Sequence, residues 1–188
     1  MSKFILSVSP KEYLKQGKSH CGMYAIKGIL SAYGLDKNKN PEDYHPNILG
    51  KLTGTTLPWT IPQVLRNYGL NAEIKLAQGS IFDKINLLKN ILQKNIPVIL
   101  MIGNGYSQNG NYSSLRAKLA LHWITLWGYD DSKGVFYVYD SAVPTNLYDK
   151  EIPIGNKKRE YERVIRDWGA GFISFGFWKY LYITVSKP

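Results

Sequence analysis

The run IPVILMIG, residues 96 to 103, most narrows what this chain can become. A continuous apolar run of that length reads as a strand buried on both faces, so the fold has to be built around a sheet with cover on both sides. Two more strand-like runs follow, LHWITLWGYD (121 to 130) and VFYVYDS (135 to 141), joined by a short turn region from Asp130 to Gly134. An aromatic strand, KYLYITVS, lies near the end.

The earlier part of the chain has helical periodicity instead. Residues 22 to 33 place Ile26, Ile29, Leu30 and Tyr33 on one face, with Gly34 as the stop. In TGTTLPWTIPQVLRNYGL, Thr60 can serve as N-cap with Gln63 three residues on, and Gly69 can end the helix. The segment SIFDKINLLKNILQKN (80 to 95) is apolar at 81, 85, 88 and 92. A further helix is expected around Lys157 to Trp168. Helices first and an antiparallel sheet second is the α+β pattern. We read 188 residues as one domain, 1 to 188, with a helical half to about 95 and a sheet half from about 96.

Composition removes several classes of function. The chain has a single cysteine, so neither an intramolecular disulfide nor a zinc site of the common Cys-rich kinds is expected, and no metal or cofactor is called for. FILSV near the start is too short for the apolar part of a signal peptide, and no run approaches the length of a membrane span. A cytoplasmic location is expected if the chain is complete, and secretion stays open if a leader precedes it. The net charge of +10 is spread along the chain, with KNKN (37 to 40) and NKKRE (156 to 160) as its short clusters. Nucleic acid is therefore not an expected partner, while contact with a membrane surface stays open. The oligomeric state is not legible.

The lone cysteine lies in QGKSHCGMYAIKGIL, where a polar loop meets a helix. A helix start offers unpaired N–H groups and the positive end of a dipole to a thiolate, so Cys21 is a candidate nucleophile as well as a candidate small core residue. A nucleophilic thiol needs a base. His20 is its covalent neighbour, and adjacent side chains diverge. His45 lies in a polar loop and reads as a solvated surface residue. His122 opens a strand, and a hairpin centred on Asp131 pairs residues whose numbers sum to about 262, which sets His122 opposite Asp140 on a face otherwise apolar. Trp123, Thr125, Trp127, Tyr137 and Tyr139 would form an amphipathic other face. A buried His and Asp invite either a structural pairing or a catalytic one, in which Cys21 attacks a carbonyl, His122 moves the proton and Asp140 orients the ring. Gln16, five residues before Cys21, is a candidate donor to the developing oxyanion, with the backbone N–H of Cys21.

Gln16, four residues, Cys21-Gly22 at a helix start, a distant His122 opening a strand and Asp140 ending the next together resemble the papain-like cysteine peptidases. The bacteriocin-leader peptidase-like group, family thirty-nine of these enzymes, is the most similar. The resemblance covers nearly the whole chain and implies a papain-like fold. It also implies Cys21 as nucleophile, His122 as base, Asp140 as orienting acid and Gln16 in the oxyanion hole, acting on peptide or isopeptide bonds of a peptide or protein substrate. Two departures stand out: Ser141 follows Asp140 where the leader peptidases often have Pro, and the glycine-rich loop before His122 is long. No transporter region is attached, so a transporter-coupled leader peptidase is not expected. An acyltransferase or deamidase using the same groups, and a non-catalytic basic binding module using aromatics such as Trp59 and Tyr106, stay open as alternatives. The loop from Gly103 to Leu115 reads equally as a lid over the cleft or a surface excursion, and Trp59 as a core residue rather than a cleft wall.

Overall fold

A computed structural model describes residues 2–17, 19–105, 112–170 and 178–188. The strands are β1 (Lys3–Ile5), β2 (Asn71–Leu76), β3 (Val98–Gly103), β4 (Leu121–Asp130), β5 (Val135–Tyr139), β6 (Lys157–Glu160) and β7 (Leu181–Ser186). The helices are α1 (Cys21–Ala32), α2 (Ile48–Thr53), α3 (Thr60–Asn67), α4 (Ile81–Gln93), α5 (Ser114–Leu119) and α6 (Tyr161–Trp168). The strands form one antiparallel sheet in the order β2-β7-β3-β4-β5-β6, with β1 added to β4 beyond the end of β3.

The apolar run supplies β3 from Val98 on, buried at every residue between β4 and β7. Helix α1 packs on β4 and α3, while α4 packs on α6, β3 and β4. These two pairs give the sheet its cover, through Met23, Ile26, Ile29 and Leu30 of α1, Ile61 and Leu65 of α3, Leu88 and Leu92 of α4, and Val164, Ile165 and Trp168 of α6. Their spacing of three and four residues is what lets each helix bury one stripe. Helix α4 begins on a reciprocal capping box between Ser80 and Asp83.

Several sequence expectations are corrected here. Thr60 is not an N-cap but the first, buried residue of α3, and Trp59 precedes it without a side-chain cap. The segment from Lys157 is a short strand followed by a helix, not one helix: Lys157 to Glu160 pair with Val138 to Val135 as the outer strand of the sheet. The division into a helical and a sheet half is not clean, because β1 and β2 from the first half pair with β4 and β7, and α5 and α6 lie in the second.

The β4–β5 hairpin also has another register. Leu126 faces Val138 and Thr125 faces Tyr139, while past a bulge Gly128 faces Tyr137 and Tyr129 faces Phe136. At the bulge, β1 comes close to Gly128 on the far side of β4. A Cβ on Gly128 would lie 2.5 Å from the Phe4 carbonyl oxygen of β1, so only glycine lets β1 approach there. Nor is either face of the hairpin amphipathic. All of β5, and all of β4 after its first residue, is buried, because helices cover both sides.

Candidate active site

The site forms where α1 begins, where β4 begins and where β5 ends. Cys21 is the first residue of α1, and His20 before it takes a left-handed backbone (φ 75°). That turn brings the His20 carbonyl onto the N–H groups of Met23 and Tyr24. The first turn is pinned from outside by the loop after α2. A Cβ on Gly22 would meet the Thr56 side chain at 2.4 to 2.8 Å, and Trp123 Nε1 donates to the Thr56 carbonyl at 3.2 Å. Glycine at position 22 thus lets the chain close over the helix start beside the thiol.

His122 enters from β4, paired with Ile102 of β3, and is 3% exposed. Its Nε2 lies 2.7 Å from Asp140 Oδ1. The expected cross-strand opposition is not what joins them: the register at this end sums to 264, two residues from the expected pairing. A shift of two keeps both side chains on the same face, so the ring and the carboxylate still meet, diagonally, with Asp140 just past the end of β5. The other ring nitrogen is left for the cysteine, whose ionised form His122 and the N–H groups of Trp123 and Gly22 favour.

Asp140 is 2% exposed and held on every side. Oδ1 also accepts the Ala142 N–H at 2.9 Å, and Oδ2 accepts the Arg159 guanidinium of β6. Its main chain is clamped by the buried Asn156: the Asp140 N–H donates to Asn156 Oδ1, and Asn156 Nδ2 donates back to the Asp140 carbonyl, both at 2.9 Å. A second carboxylate, Asp167, lies 3.5 Å from the other Arg159 nitrogen. Neither Asn156 nor Arg159 was singled out from the sequence. Arg159 lies within NKKRE, which as a helix or a surface cluster gives no inward direction; the alternating half-burial of β6 gives it one.

The electrostatics of the three groups are consistent with one another. Burial pushes the Cys21 thiol up, but the hydrogen bond and charge of His122 and the two N–H groups outweigh it, and the thiol lies below its ordinary value. Burial pushes His122 down, but the charge and hydrogen bond of Asp140, with help from Cys21, hold it well above its ordinary value. Burial raises Asp140, but His122 and Arg159 together keep it far below the usual carboxylate range. Each shift runs in the direction that favours a thiolate and an imidazolium backed by a carboxylate.

Gln16 is 9% exposed and lies beside Ser141. The Gln16 N–H donates to the Ser141 carbonyl at 2.8 Å, and the Ser141 hydroxyl donates to Gln16 Oε1 at 2.5 Å. The segment carrying Gln16 is sewn to the chain after β5 by Tyr139 Oη donating to the Leu14 carbonyl and Tyr148 Oη to that of Tyr13, both at 2.8 Å.

The other histidines lie apart from this chemistry. His20 places Nδ1 against Ser19 Oγ at 2.9 Å and Nε2 against the Lys51 carbonyl at 2.8 Å. His45 is not the solvated residue expected. Its ring nitrogens are buried without hydrogen-bond partners among the described residues, with the His20 ring at 5.7 Å, and burial then the His20 charge lower its basicity. Trp59 is not a core residue either: it is 53% exposed, its ring edge-on to Trp178 at 6.0 Å. Tyr106 and residues 106 to 111 of the loop read as a lid or a surface excursion lie outside the described residues; its last two residues, Ser114 and Leu115, begin α5. Among the described residues, no cluster of His, Cys, Asp and Glu could hold a metal ion, and no helix is long and apolar enough to cross a membrane.

Comparisons with known proteins agree with this architecture. The model of the Peptidase_C39 like family matches residues 5–168. One similar solved structure is a double glycine motif protease from an AMS/PCAT transporter in complex with the leader peptide, 15% identical, with a TM-score of 0.55 over 100% of both chains. Another is the peptidase domain of Streptococcus ComA, a bifunctional ABC transporter involved in a quorum-sensing pathway, 15% identical, with a TM-score of 0.53 over 94% of this chain and 100% of that one. A third, from Bacillus anthracis and described as C39-like, is 14% identical, with a TM-score of 0.55 over 100% of this chain and 99% of that one. No curated protein matches the chain. At these identities the solved structures speak for the fold, which is the papain-like peptidase fold.

Proposed function

The chain belongs to the Peptidase_C39 like family, and from that premise we propose that it is a cysteine peptidase that hydrolyses peptide bonds through Cys21, His122 and Asp140, with Gln16 in the oxyanion hole. The observation that carries the assignment is the buried pair of His122 Nε2 and Asp140 at 2.7 Å, with His122 acting on the Cys21 thiol at the start of α1.

The chemistry follows from that series. The Cys21 thiolate adds to the scissile carbonyl, forming a C–S bond and placing negative charge on the oxygen, which Gln16 Nε2–H and backbone N–H groups receive. As the C–N bond breaks, the imidazolium of His122 gives its Nδ1 proton to the leaving amine, and a thioester remains on Cys21. Water then adds to the thioester while His122 takes its proton. The C–S bond breaks, the acid departs and the thiolate–imidazolium pair is restored. Asp140 stays ionised throughout, holding Nε2–H and supporting the positive ring. The double-glycine protease bound to a leader peptide supports a peptide as the substrate class.

Profiling on a peptide library tests the assignment. Cys21→Ala is expected to abolish cleavage while leaving the melting temperature close to that of the parent, and cleavage by that variant at the parent rate would overturn it.

A further inference from the structure

An oxyanion donor made from a glutamine side chain has a difficulty that a backbone N–H does not. The amide has two ends of nearly the same shape and opposite chemistry, a donor at Nε2 and an acceptor at Oε1. With Nε2 toward the substrate it stabilises the developing charge; turned over, it sets a carbonyl dipole against that charge. Something has to choose the end.

Ser141 touches Gln16 twice. Its carbonyl accepts the Gln16 N–H at 2.8 Å, fixing the main chain, and its hydroxyl donates to Gln16 Oε1 at 2.5 Å, fixing the acceptor end. The serine is 2% exposed, and among the described residues its hydroxyl makes no other hydrogen bond. If the amide turned over, the hydroxyl hydrogen would lose its acceptor in a place water does not reach. The serine is itself on fixed ground, since it follows Asp140, whose peptide groups on both sides are clamped by Asn156. It is also one of the two positions where the sequence departs from the family it resembles, and proline there could not supply the hydroxyl.

We infer that Ser141 is a positioning residue for catalysis, holding the Gln16 amide with Nε2–H toward the oxyanion and so tying the orientation of the oxyanion donor to the segment that carries Asp140. The inference rests on the peptidase reading above.

Two reagents separate the roles. Iodoacetamide alkylates the thiolate by displacement at carbon, forming C–S as iodide leaves, with no oxyanion. p-Nitrophenyl acetate acylates it through a tetrahedral oxyanion, forming C–S as p-nitrophenolate leaves with the C–O electron pair. Because Cys21 is the only cysteine, intact mass and peptide mapping assign each product to it. Ser141→Ala is expected to keep the alkylation rate within about twofold of the parent and to lower acylation by about tenfold; Gln16→Ala, which removes the donor itself, is expected to lower acylation by about a hundredfold. The double variant should lose no more than Gln16→Ala alone, because the serine acts through the glutamine. Ser141→Thr, which keeps the hydroxyl, should restore much of the acylation rate. Ser141→Cys, similar in shape with a far weaker donor, carries the same comparison if the alanine variant does not fold. Unchanged acylation in Ser141→Ala, equal falls in both reactions, or multiplying losses in the double variant would overturn the inference. If the parent Cys21 reacts with the ester no faster than an ordinary thiol, it is the peptidase reading that fails instead.

Discussion

At the scale of single residues, Asp140 is tightly constrained. It is an ionised carboxylate with almost no water, so its charge has to be balanced by His122 on one oxygen and Arg159 on the other. Removing one partner of a buried ion pair leaves the remaining charge uncompensated, which costs more than the pair gains by forming. Arg159 also lies 3.5 Å from Asp167, which Arg166 meets on its other oxygen at 3.1 Å, so its loss takes one of two cationic partners from each of two buried carboxylates. Arg159→Met is therefore expected to lower the unfolding free energy by about 3 kcal/mol or more, read from urea denaturation midpoints at constant m. A change under about 0.5 kcal/mol, the range of ordinary surface substitutions, would contradict the clamp. The catalytic candidates could be found in the sequence because their residue types are scarce: one cysteine and three histidines leave few combinations. Arg159 and Asn156 could not, because arginine and asparagine are common and their direction depends on β6, which the sequence does not announce.

At the scale of elements, legibility followed burial. The apolar run of β3 and the apolar stripes of α1 and α4 stand out because each is fixed by one strong periodicity. What the reading missed is short or lies at an edge. β1 has three residues, β2 is an outer strand exposed at five of its six, and β6 is four charged or polar residues whose pairing with β5 is made by backbone groups rather than by apolar side chains. The hairpin register differs by two at the site because nothing in the local sequence reveals the bulge before Gly128, where β1, more than a hundred residues earlier in the chain, packs against β4. The pairing of His122 with Asp140 survived because an even shift preserves the face, whereas a shift of one would have turned the carboxylate away.

At the scale of the whole molecule, the pair of groups proposed to perform the chemistry also contributes to how stability depends on pH. His122 is raised above its ordinary 6.5, so its contribution is complete below that pH and is lost as pH rises from 6.5 through the folded value. Cys21 is lowered from 9.0, so its contribution grows as pH rises through the folded value and is complete above 9.0. Between the folded Cys21 value and 9.0 the two slopes oppose each other, and over that window the parent is expected to show little dependence on pH from this pair. Cys21→Ser removes the titrating thiol but leaves Asp140, the main support of His122, in place. Its stability should fall as pH rises above 6.5, with a slope approaching about 1.4 kcal/mol per pH unit, in denaturant melts at a series of pH values; equal slopes in variant and parent would contradict the pairing. The most direct test of the central claim, that Cys21 stands as a thiolate beside an imidazolium, is the rate at which iodoacetamide alkylates Cys21 as a function of pH. The account predicts that the parent rate rises and levels off below the 9.0 of an ordinary thiol, and that His122→Ala moves the rise upward. A parent rate that climbs with pH through 9.0, unmoved by His122→Ala, would contradict it.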